Sequence, residues 1–348
     1  MKLFEEVMEA LIKQFQYEEE EKELHWLTVY AISPQICQIT DTLHLCLELI
    51  GGGITYENSV PEQKLPLSSS KLEALKGTIT RKGASIVNFD VSVDDNYFNK
   101  CFSKLKLVKP VRLPQIEAAT KAMKEAIKIL EHLREISSIH AEKDNHPRII
   151  SGFHSLLDQI YTAKLNMLLP TDPKLVFPLH VIPPYCFEIP LSRSVAIDFY
   201  ISQAEICVDM KYLDHVTQNP WGEIYEDGRS YVDKVRDEMK RPQMADYEFS
   251  SRDRQSQSIS DFYNKLEASS PRSNHSVGGI LKLLVGRKYS PRDFITKCIT
   301  YDKMVVIVLK KIEVSTADPN LLSALTKLDS LTHLVGSFLE NMQKVTPK

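Results

Sequence analysis

Cysteine is scarce in this 348-residue sequence, which contains six, and no two of them form a Cys-x-x-Cys pair. They are Cys37, Cys46, Cys101, Cys186, Cys207 and Cys298. Cysteines scattered in this way are typical of reduced thiols in an intracellular protein, and they disfavour a disulfide framework. We therefore expect them to pack as small, buried hydrophobic residues.

Long hydrophobic runs are also missing. The longest is MVVIVL at residues 304–309, far short of the ~20 residues that a membrane-spanning helix needs. The N-terminus is acidic and periodic, whereas a signal peptide has a basic start and an unbroken apolar stretch. We expect a soluble, intracellular protein.

An excess of basic charge is absent as well. The 43 Lys and Arg residues are outnumbered by 46 Asp and Glu residues, which gives a net charge of −3. A protein that binds nucleic acid or an anionic membrane through its overall charge carries the opposite balance. No nucleic-acid partner is predicted.

The sequence motifs of common catalytic and metal sites are not found. The run Gly51-Gly52-Gly53 lacks the Gly-Lys-Ser/Thr ending of a phosphate-binding loop, and neither His-Glu-x-x-His nor Gly-x-Ser-x-Gly occurs. Cys37, His44 and Cys46 are spaced seven and nine residues apart, which does not bring three zinc ligands together on one helix. We predict no catalytic residues, no metal and no cofactor, and we keep an enzyme with a concealed site in the β region as a hypothesis.

Apolar residues at helical spacing predict five helices. They cover residues 3–31, 33–50, 114–137, 149–169 and 319–344. Ser33 is predicted as the N-cap of the second helix, with Pro34 at its first position, and the glycine run after Ile50 is predicted to end it. Residues 54–71 are polar and predict a loop.

Alternation of apolar and polar residues predicts strands in the remaining sequence. They cover residues 72–93, 96–108, 195–210, 280–289, 294–301 and 303–314. In the first of these, Val87, Phe89, Val91 and Val93 are predicted to share the buried face.

The order of these elements predicts an α+β fold. An antiparallel helical bundle would be built from both chain ends and the middle helices, that is from residues 1–53, 113–170 and 318–346. A separate, mainly antiparallel β domain would comprise residues 72–108, 173–213 and 277–316. Residues 214–276 are polar and predict a flexible insertion.

The last helix carries a leucine-zipper pattern with three apolar rows. The rows are Leu321, Leu328, Val335 and Met342; Leu325 and Leu339; and Ala324, Leu331, Phe338 and Val345. A two-stranded zipper has only two such rows and charged residues beside them. The third row favours packing inside the protein's own bundle over a zipper with another chain.

Several aromatic and aliphatic residues are candidates for partner binding, because side chains of this kind anchor many interfaces. Four lie near prolines and loops, namely Tyr185, Phe187, Trp221 and Tyr225. Three more, Ile259, Phe262 and Leu266, form a short helical stripe in the insertion. The alternative for each is packing within the protein.

Four stretches in this order and spacing resemble the Rogdi family, and its fungal branch in particular. They are EEEEKELHWL, LKGTITRKGASIVNFDV, LPQIEAATKAMKEAIKIL and FEIPLSRSVAIDFYISQAEICV. The resemblance covers residues 18–213 well and residues 290–345 loosely. It implies the same architecture, a helical domain built from both chain ends with a β domain from the middle.

The resemblance also implies a non-enzymatic scaffold subunit of a RAVE-type complex, which regulates the proton-pumping ATPase of vacuoles and endosomes. The implied partners are a large β-propeller scaffold subunit, a Skp-type adaptor, and the peripheral-sector and C-type subunits of the pump. The implied location is cytoplasmic, with peripheral recruitment to vacuole and endosome membranes, so that membranes are met only indirectly. The subunit would promote reassembly of the pump by bridging the scaffold and the detached peripheral sector. A helical adaptor in vesicle trafficking is the alternative that the bundle alone suggests.

Overall fold

The computed structural model describes residues 2–52, 62–69, 74–137, 146–240 and 289–346. Its α-helices are α1 (Lys2–Trp26), α2 (Ser33–Ile50), α3 (Pro114–Ile136), α4 (His146–Leu168), α5 (Tyr231–Lys240), α6 (Pro291–Lys297) and α7 (Pro319–Val345). Its strands are β1 (Glu62–Ser68), β2 (Leu75–Lys82), β3 (Ser85–Val93), β4 (Lys104–Lys106), β5 (Val111–Arg112), β6 (Val195–Ser202), β7 (Glu205–His215), β8 (Cys298–Tyr301) and β9 (Met304–Ala317). Helices and antiparallel sheets together confirm the predicted α+β class.

Helices α2, α3, α4 and α7 pack on one another as a bundle. Each has an apolar stripe at i, i+3, i+4 and i+7 spacing, and burying these stripes is what stabilises helices of this length. Gly152 of α4 faces α3, where a Cβ added to it would lie 2.7 Å from the side chain of Leu133. A larger residue here would require the leucine side chain to move.

The zipper pattern of α7 faces the inside of this bundle. Leu321, Leu328 and Val335 are all fully buried in the main apolar core, as is Met342 one heptad further. Phe338, from the third row, packs edge-to-face on Phe153 of α4 with 6.2 Å between ring centroids. The heptad repeat therefore builds the fold, as its three-row design predicted.

The first two predicted helices are one continuous helix, so the predicted break at Ser33 is wrong. The segment Leu27–Ile32 between α1 and α2 is a π-helix, and the N–H of Ser33 donates to the carbonyl of Thr28, five residues back. Ser33 itself has helical angles of φ −55° and ψ −40°, and its side chain does not cap α2. The wider π turn accommodates Pro34, which lacks an N–H and would clash with the carbonyl of a regular α-turn.

The end of α2 lies where the glycine run predicted it. Gly51 has a left-handed φ of 79°, which glycine adopts without strain. The N–H of Gly52 donates to the carbonyl of Leu47, and that of Gly51 to Glu48. These bonds close the last turn as a glycine cap.

The first sheet has the strand order β1-β2-β3-β4, and the short β5 also pairs with β3. Strand β1 lies in the stretch predicted as a loop, so that prediction is wrong for residues 62–68. Its Leu65 and Leu67 are buried, and Pro66 is tolerated because β1 is an edge strand that pairs only with β2. Of the predicted strand at 96–108, only Lys104–Lys106 is a strand, and Phe98–Lys100 forms a 3-10 turn.

A β-bulge changes which side chains of β3 point inwards. Thr80 pairs with Asn88, but the next residue, Arg81, pairs with Ile86, so Val87 has no partner in the register. Ile86 is consequently buried and Val87 is only half-buried, in contrast to the prediction that Val87 shares a face with Phe89. One extra residue in a strand shifts its two-residue period in this way.

The second sheet has the order β6-β7-β9-β8, and all neighbouring strands are antiparallel. The predicted hairpin at 195–210 and the strand at 303–314 are confirmed as β6, β7 and β9. The predicted strand at 294–301 is half wrong, because Pro291–Lys297 is helix α6 and only Cys298–Tyr301 is a strand. Ser290 and Asp293 form a capping box that starts α6. The predicted strand at 280–289 lies outside the described residues except for Tyr289.

One apolar core connects the bundle with both sheets. Phe89 of β3 packs edge-to-face on Phe199 of β6, with 5.1 Å between ring centroids. Gln115 of α3 is buried and donates to the carbonyls of Asn166 and Ile201 while accepting from the N–H of Ile201. This side chain ties α3, α4 and β6 together, since all of its hydrogen bonds reach other elements. The predicted domain boundaries themselves stay a prediction.

A smaller apolar cluster lies beyond β7, in the first part of the predicted insertion. Trp221 stacks on Phe294 of α6 with 5.1 Å between ring centroids. Ser230, just before helix α5, exchanges hydrogen bonds with Asp233, and Thr300 of β8 also donates to Asp233. Residues 216–240 are thus packed against α6 and β8. The rest of the predicted insertion, residues 241–276, lies outside the described residues, and its flexibility stays a prediction.

Candidate partner-binding surface

The proline-rich segment at residues 173–191 is held against the protein by buried side chains. Four of its residues lie in the main core: Ile182, Cys186, Phe187 and Leu191. They alternate irregularly with exposed residues because the prolines prevent a regular helix or sheet strand. The segment therefore has a fixed inner side and a separate outer side.

A buried carboxylate fixes the beginning of this segment. Asp198 of β6 accepts the N–H of Phe177 at 2.7 Å through one oxygen and contacts Nδ1 of His180 at 2.8 Å through the other. Asp198 is only 3% exposed, so these contacts satisfy a charge that would otherwise be costly to bury. The His–Asp contact orients the segment on the second sheet.

Backbone hydrogen bonds fix the other end to the first sheet. The carbonyl of Cys186 accepts the N–H groups of Val108 and Lys109, at 2.8 and 3.1 Å. Leu107 and Phe187 form an isolated β-bridge, and Glu188 donates to the carbonyl of Lys106. The segment is thereby braced on both sheets.

The outer side of this brace presents exposed apolar side chains. We call them the proline-segment surface: Val108, Leu179, Val181, Tyr185 and Ile189, exposed by 54, 60, 36, 60 and 52%. The ammonium group of Lys109 lies 4.5 Å from the centre of the Tyr185 ring, a cation–π contact that orients the ring. Large apolar side chains held on a rigid backbone are typical of a protein-binding surface, since little ordering is needed when a partner binds.

A network of charged residues on the second sheet contacts the start of the proline-rich segment. Lys211 donates to Asp209 at 2.5 Å, and its ammonium group lies 4.5 Å from the ring of Phe177. Lys311 lies between Asp209 and Glu313, and its hydrogen bond holds the pKa of Glu313 below its usual range. Burial, together with a hydrogen bond to Glu313, raises the pKa of Tyr200. One oxygen of Asp209 is buried without a hydrogen bond among the described atoms.

The structure separates the residues that the sequence proposed for partner binding. Tyr185 lies on the proline-segment surface, but Phe187 is only 2% exposed and anchors the segment from inside. Trp221 is 5% exposed in the small cluster, and Tyr225 is half-buried with the ammonium group of Lys234 at 3.3 Å from its ring. The other three candidates, Ile259, Phe262 and Leu266, lie outside the described residues.

Sequence reasoning missed the aliphatic part of the proline-segment surface. Leu179, Val181 and Ile189 stand between prolines, where no regular element could bury one common face. That context was the available signal, because an aliphatic residue in such a segment either anchors it or stays exposed. Only the fold distinguishes Ile182, which is buried, from Val181 beside it.

The residues first considered for a metal site do not converge. Cys46 is buried in the core, whereas Cys37 and His44 are exposed on the opposite face of α2. Within the described residues, no group of three or more His, Cys, Asp or Glu side chains is placed to hold a metal ion. No helix in the described ranges is long and apolar enough to cross a membrane.

The expectation that the cysteines are buried holds for Cys46, Cys186, Cys207 and Cys298, whereas Cys101 is half-buried and Cys37 is exposed. Burial raises the pKa of the Cys46 thiol to about 11 and that of Cys207 and Cys298 to about 12. These thiols are therefore protonated at neutral pH, which makes them poor nucleophiles.

The fold and its surface define an α+β protein whose heptad-patterned helix is internal and whose exposed apolar residues are braced on two sheets. The family model described as "Rogdi leucine zipper containing protein" matches residues 23–343, and the chain belongs to this family. One relative is "Regulator of V-ATPase in vacuolar membrane protein 2" of Saccharomyces cerevisiae. The two are 24% identical over 340 residues, which cover 92% of this chain and 90% of the relative.

Proposed function

We propose that this protein is a non-enzymatic subunit of a RAVE-type complex that regulates the vacuolar and endosomal proton-pumping ATPase. The observation that carries the proposal is the match to a V-ATPase regulator over nearly the whole of both chains. A match of this extent covers the bundle and both sheets, so it does not rest on one shared element. The family membership supports the same role.

The subunit would promote reassembly of the pump by bridging a β-propeller scaffold subunit and the detached peripheral sector. A Skp-type adaptor and the C-type subunit of the pump would be further members of the assembly. The proline-segment surface is suited to one of these contacts, because its five apolar side chains are exposed while its backbone is fixed. The charged network at the start of the proline-rich segment, around Lys211 and Lys311, would add specificity more than affinity.

Affinity purification of the tagged chain from its own cells tests the proposed function. We expect propeller-scaffold and pump subunits in the eluate, and we expect cells without the protein to have poorly acidified vacuoles. Recovery of vesicle-coat or fusion proteins instead would favour an adaptor in trafficking. Normal acidification without the protein, together with the absence of pump subunits from the eluate, would refute the proposal.

Substitution of the surface separates its role from that of the rest of the protein. Tyr185→Ser combined with Ile189→Ser should reduce recovery of at least one partner without changing the urea unfolding midpoint. Leu322→Ser is the matched control, because Leu322 is 51% exposed but lies on α7, outside the proline-segment surface. Equal recovery with the double variant and the control would exclude this surface as a contact.

A further inference from the structure

The outer part of α1 has exposed side chains over a long stretch. Residues 7–20 are all exposed, and the first buried side chain after them is that of Leu24. At a rise of 1.5 Å per residue, these 14 residues extend about 21 Å from the point where α1 joins the bundle. We call residues 7–20 the arm.

The arm carries one continuous apolar stripe. Val7, Met8, Leu11, Ile12 and Phe15 follow helical spacing and lie on one face, exposed by 52, 43, 54, 53 and 69%. A single exposed leucine is ordinary, but five adjoining large side chains form a patch of the kind that marks interaction sites. An isolated helix of this length is also only marginally stable in water. Binding of a partner to its apolar face would stabilise the arm.

The charge of α1 decides what can cover the stripe. The helix contains eight glutamates against three lysines. Phe15 is the last apolar residue of the stripe. Glu18 and Glu19 follow it on the same face of the helix, towards the bundle. An anionic lipid surface would repel this helix, and a second copy of the arm would bring like charges together in either orientation.

We propose that the arm is a docking helix for a different protein, which offers an apolar groove bordered by Lys and Arg side chains. The stripe would enter the groove, and the glutamates would meet the basic border, in the manner of other helix-in-groove complexes. The stripe is several residues wide, which fits a groove better than a single partner helix. The inference rests on the proposed function in one respect, because the groove is expected on a subunit of the RAVE-type complex or of the pump.

The test uses the tagged full chain purified from its own cells, with propeller-scaffold and pump subunits quantified by mass spectrometry. Leu11→Gln combined with Phe15→Gln keeps good helix formers on the arm while removing its two central apolar groups. We expect recovery of one subunit to fall by about tenfold or more, as for a central interface residue. Leu322→Gln, equally exposed but on α7, should leave recovery unchanged.

A second variant tests the charge. Glu18→Lys combined with Glu19→Lys should weaken recovery of the same subunit, because the basic border would then face like charge. A photoreactive residue at position 11 should form crosslinks to that subunit at a site flanked by Lys and Arg. Circular dichroism and the unfolding midpoint of each variant show whether the rest of the fold is intact.

The outcomes separate the docking helix from the proposed function. If the wild-type chain recovers scaffold and pump subunits and both arm variants do so equally well, the docking helix is refuted and the proposed function stands. If the wild-type chain recovers neither, both are refuted. If the purified chain were a dimer and Leu11→Gln with Phe15→Gln made it a monomer, a second copy would cover the stripe. Flotation with phosphatidylcholine–phosphatidylserine vesicles would show that lipid covers it, and either result would overturn the proposal.

Discussion

Among the polar side chains, that of Arg81 is expected to contribute most to the stability of this fold. Its guanidinium is 2% exposed and donates to Asp318, which is fully buried, at 2.6 Å. It also donates to the carbonyls of Ile50 and Gly83. Asp318 in turn caps α7 by accepting the N–H groups of the following residues. One side chain therefore joins the end of α2, the β2–β3 turn and the start of α7.

Arg81→Met keeps much of the side-chain volume but leaves the Asp318 carboxylate buried beside an apolar group. Removing one partner of a buried ion pair destabilises a protein by about 3–5 kcal/mol, because the other charge stays buried without compensation. Typical domains are stable by only ~5–15 kcal/mol. The variant should thus lose a large part of the stability of the protein.

Urea unfolding followed by circular dichroism measures this loss, with Lys82→Met as the matched control. Lys82 is the next residue on β2 and pairs with Glu62 at 3.6 Å, but the two side chains are 33 and 59% exposed. A surface pair of this kind contributes about 0–1 kcal/mol. If Arg81→Met and Lys82→Met lower the free energy of unfolding equally, the buried ion pair does not hold these three elements together.

Adding Asp318→Asn to Arg81→Met completes a double-mutant cycle. An asparagine can still cap α7 through its side-chain oxygen, but it carries no charge. The double variant should therefore be less destabilised than the sum of the two single variants. If the two effects were simply additive, the loss of stability in Arg81→Met would come from packing and not from the unpaired Asp318 carboxylate.

Three further predictions concern α7, α5 and the thiols. Leu328→Ala should lower the free energy of unfolding by about 2–5 kcal/mol because Leu328 is fully buried. Leu322→Ala, on the exposed side of α7, should change it by under about 0.5 kcal/mol. If urea unfolding gave the same loss for both variants, the zipper pattern would not be internal. Burial raises the pKa of Asp233, but hydrogen bonds from neighbouring hydroxyl groups outweigh this effect and hold it below its usual range. Its contribution to stability is thus complete above the pKa of an aspartate in the unfolded chain, about 3.9, and is lost as pH falls through the folded pKa. Asp233→Asn should therefore flatten this part of the curve of stability against pH. An unchanged slope would reject the argument. N-ethylmaleimide should modify the exposed Cys37 in the native protein. It should modify the buried Cys46, whose pKa is about 11, only after unfolding. Modification of Cys46 in the native protein, detected by mass spectrometry, would contradict this prediction.

Periodicity was sufficient to locate most of the helices and the longest strands. The stripes of α3, α4 and α7 are long enough that only burial of one face explains them, and the third apolar row of α7 already indicated an internal helix. Strand β1 was missed because its proline and polar residues resemble a loop, and an edge strand tolerates them. Helix α5 was missed because only Val232 and Val235 are buried on it, too few for a visible stripe.

The candidate site was predictable only in part. Tyr185 was found because an aromatic residue among prolines is conspicuous, but Phe187, chosen for the same reason, is inside the core. Two residues on a segment without regular periodicity cannot be assigned to opposite sides from sequence. That assignment depends on the contacts of the segment with Asp198 and with the backbone of residues 106–109.

The sequence by itself determined the fold class, the helix stripes and the acidic, amphipathic character of α1, since each follows from residue types at fixed spacing. The tertiary structure alone decided the meaning of two identical signals. Ser290-Pro291 starts a helix, with Ser290 in an extended conformation that frees its side chain to cap. Ser33-Pro34 lies within a helix that continues through a π turn. The reason is packing: Leu24 before that turn, Ile32 within it and Ile36 after it are buried in one core, so the chain keeps its direction and the local signal is overridden.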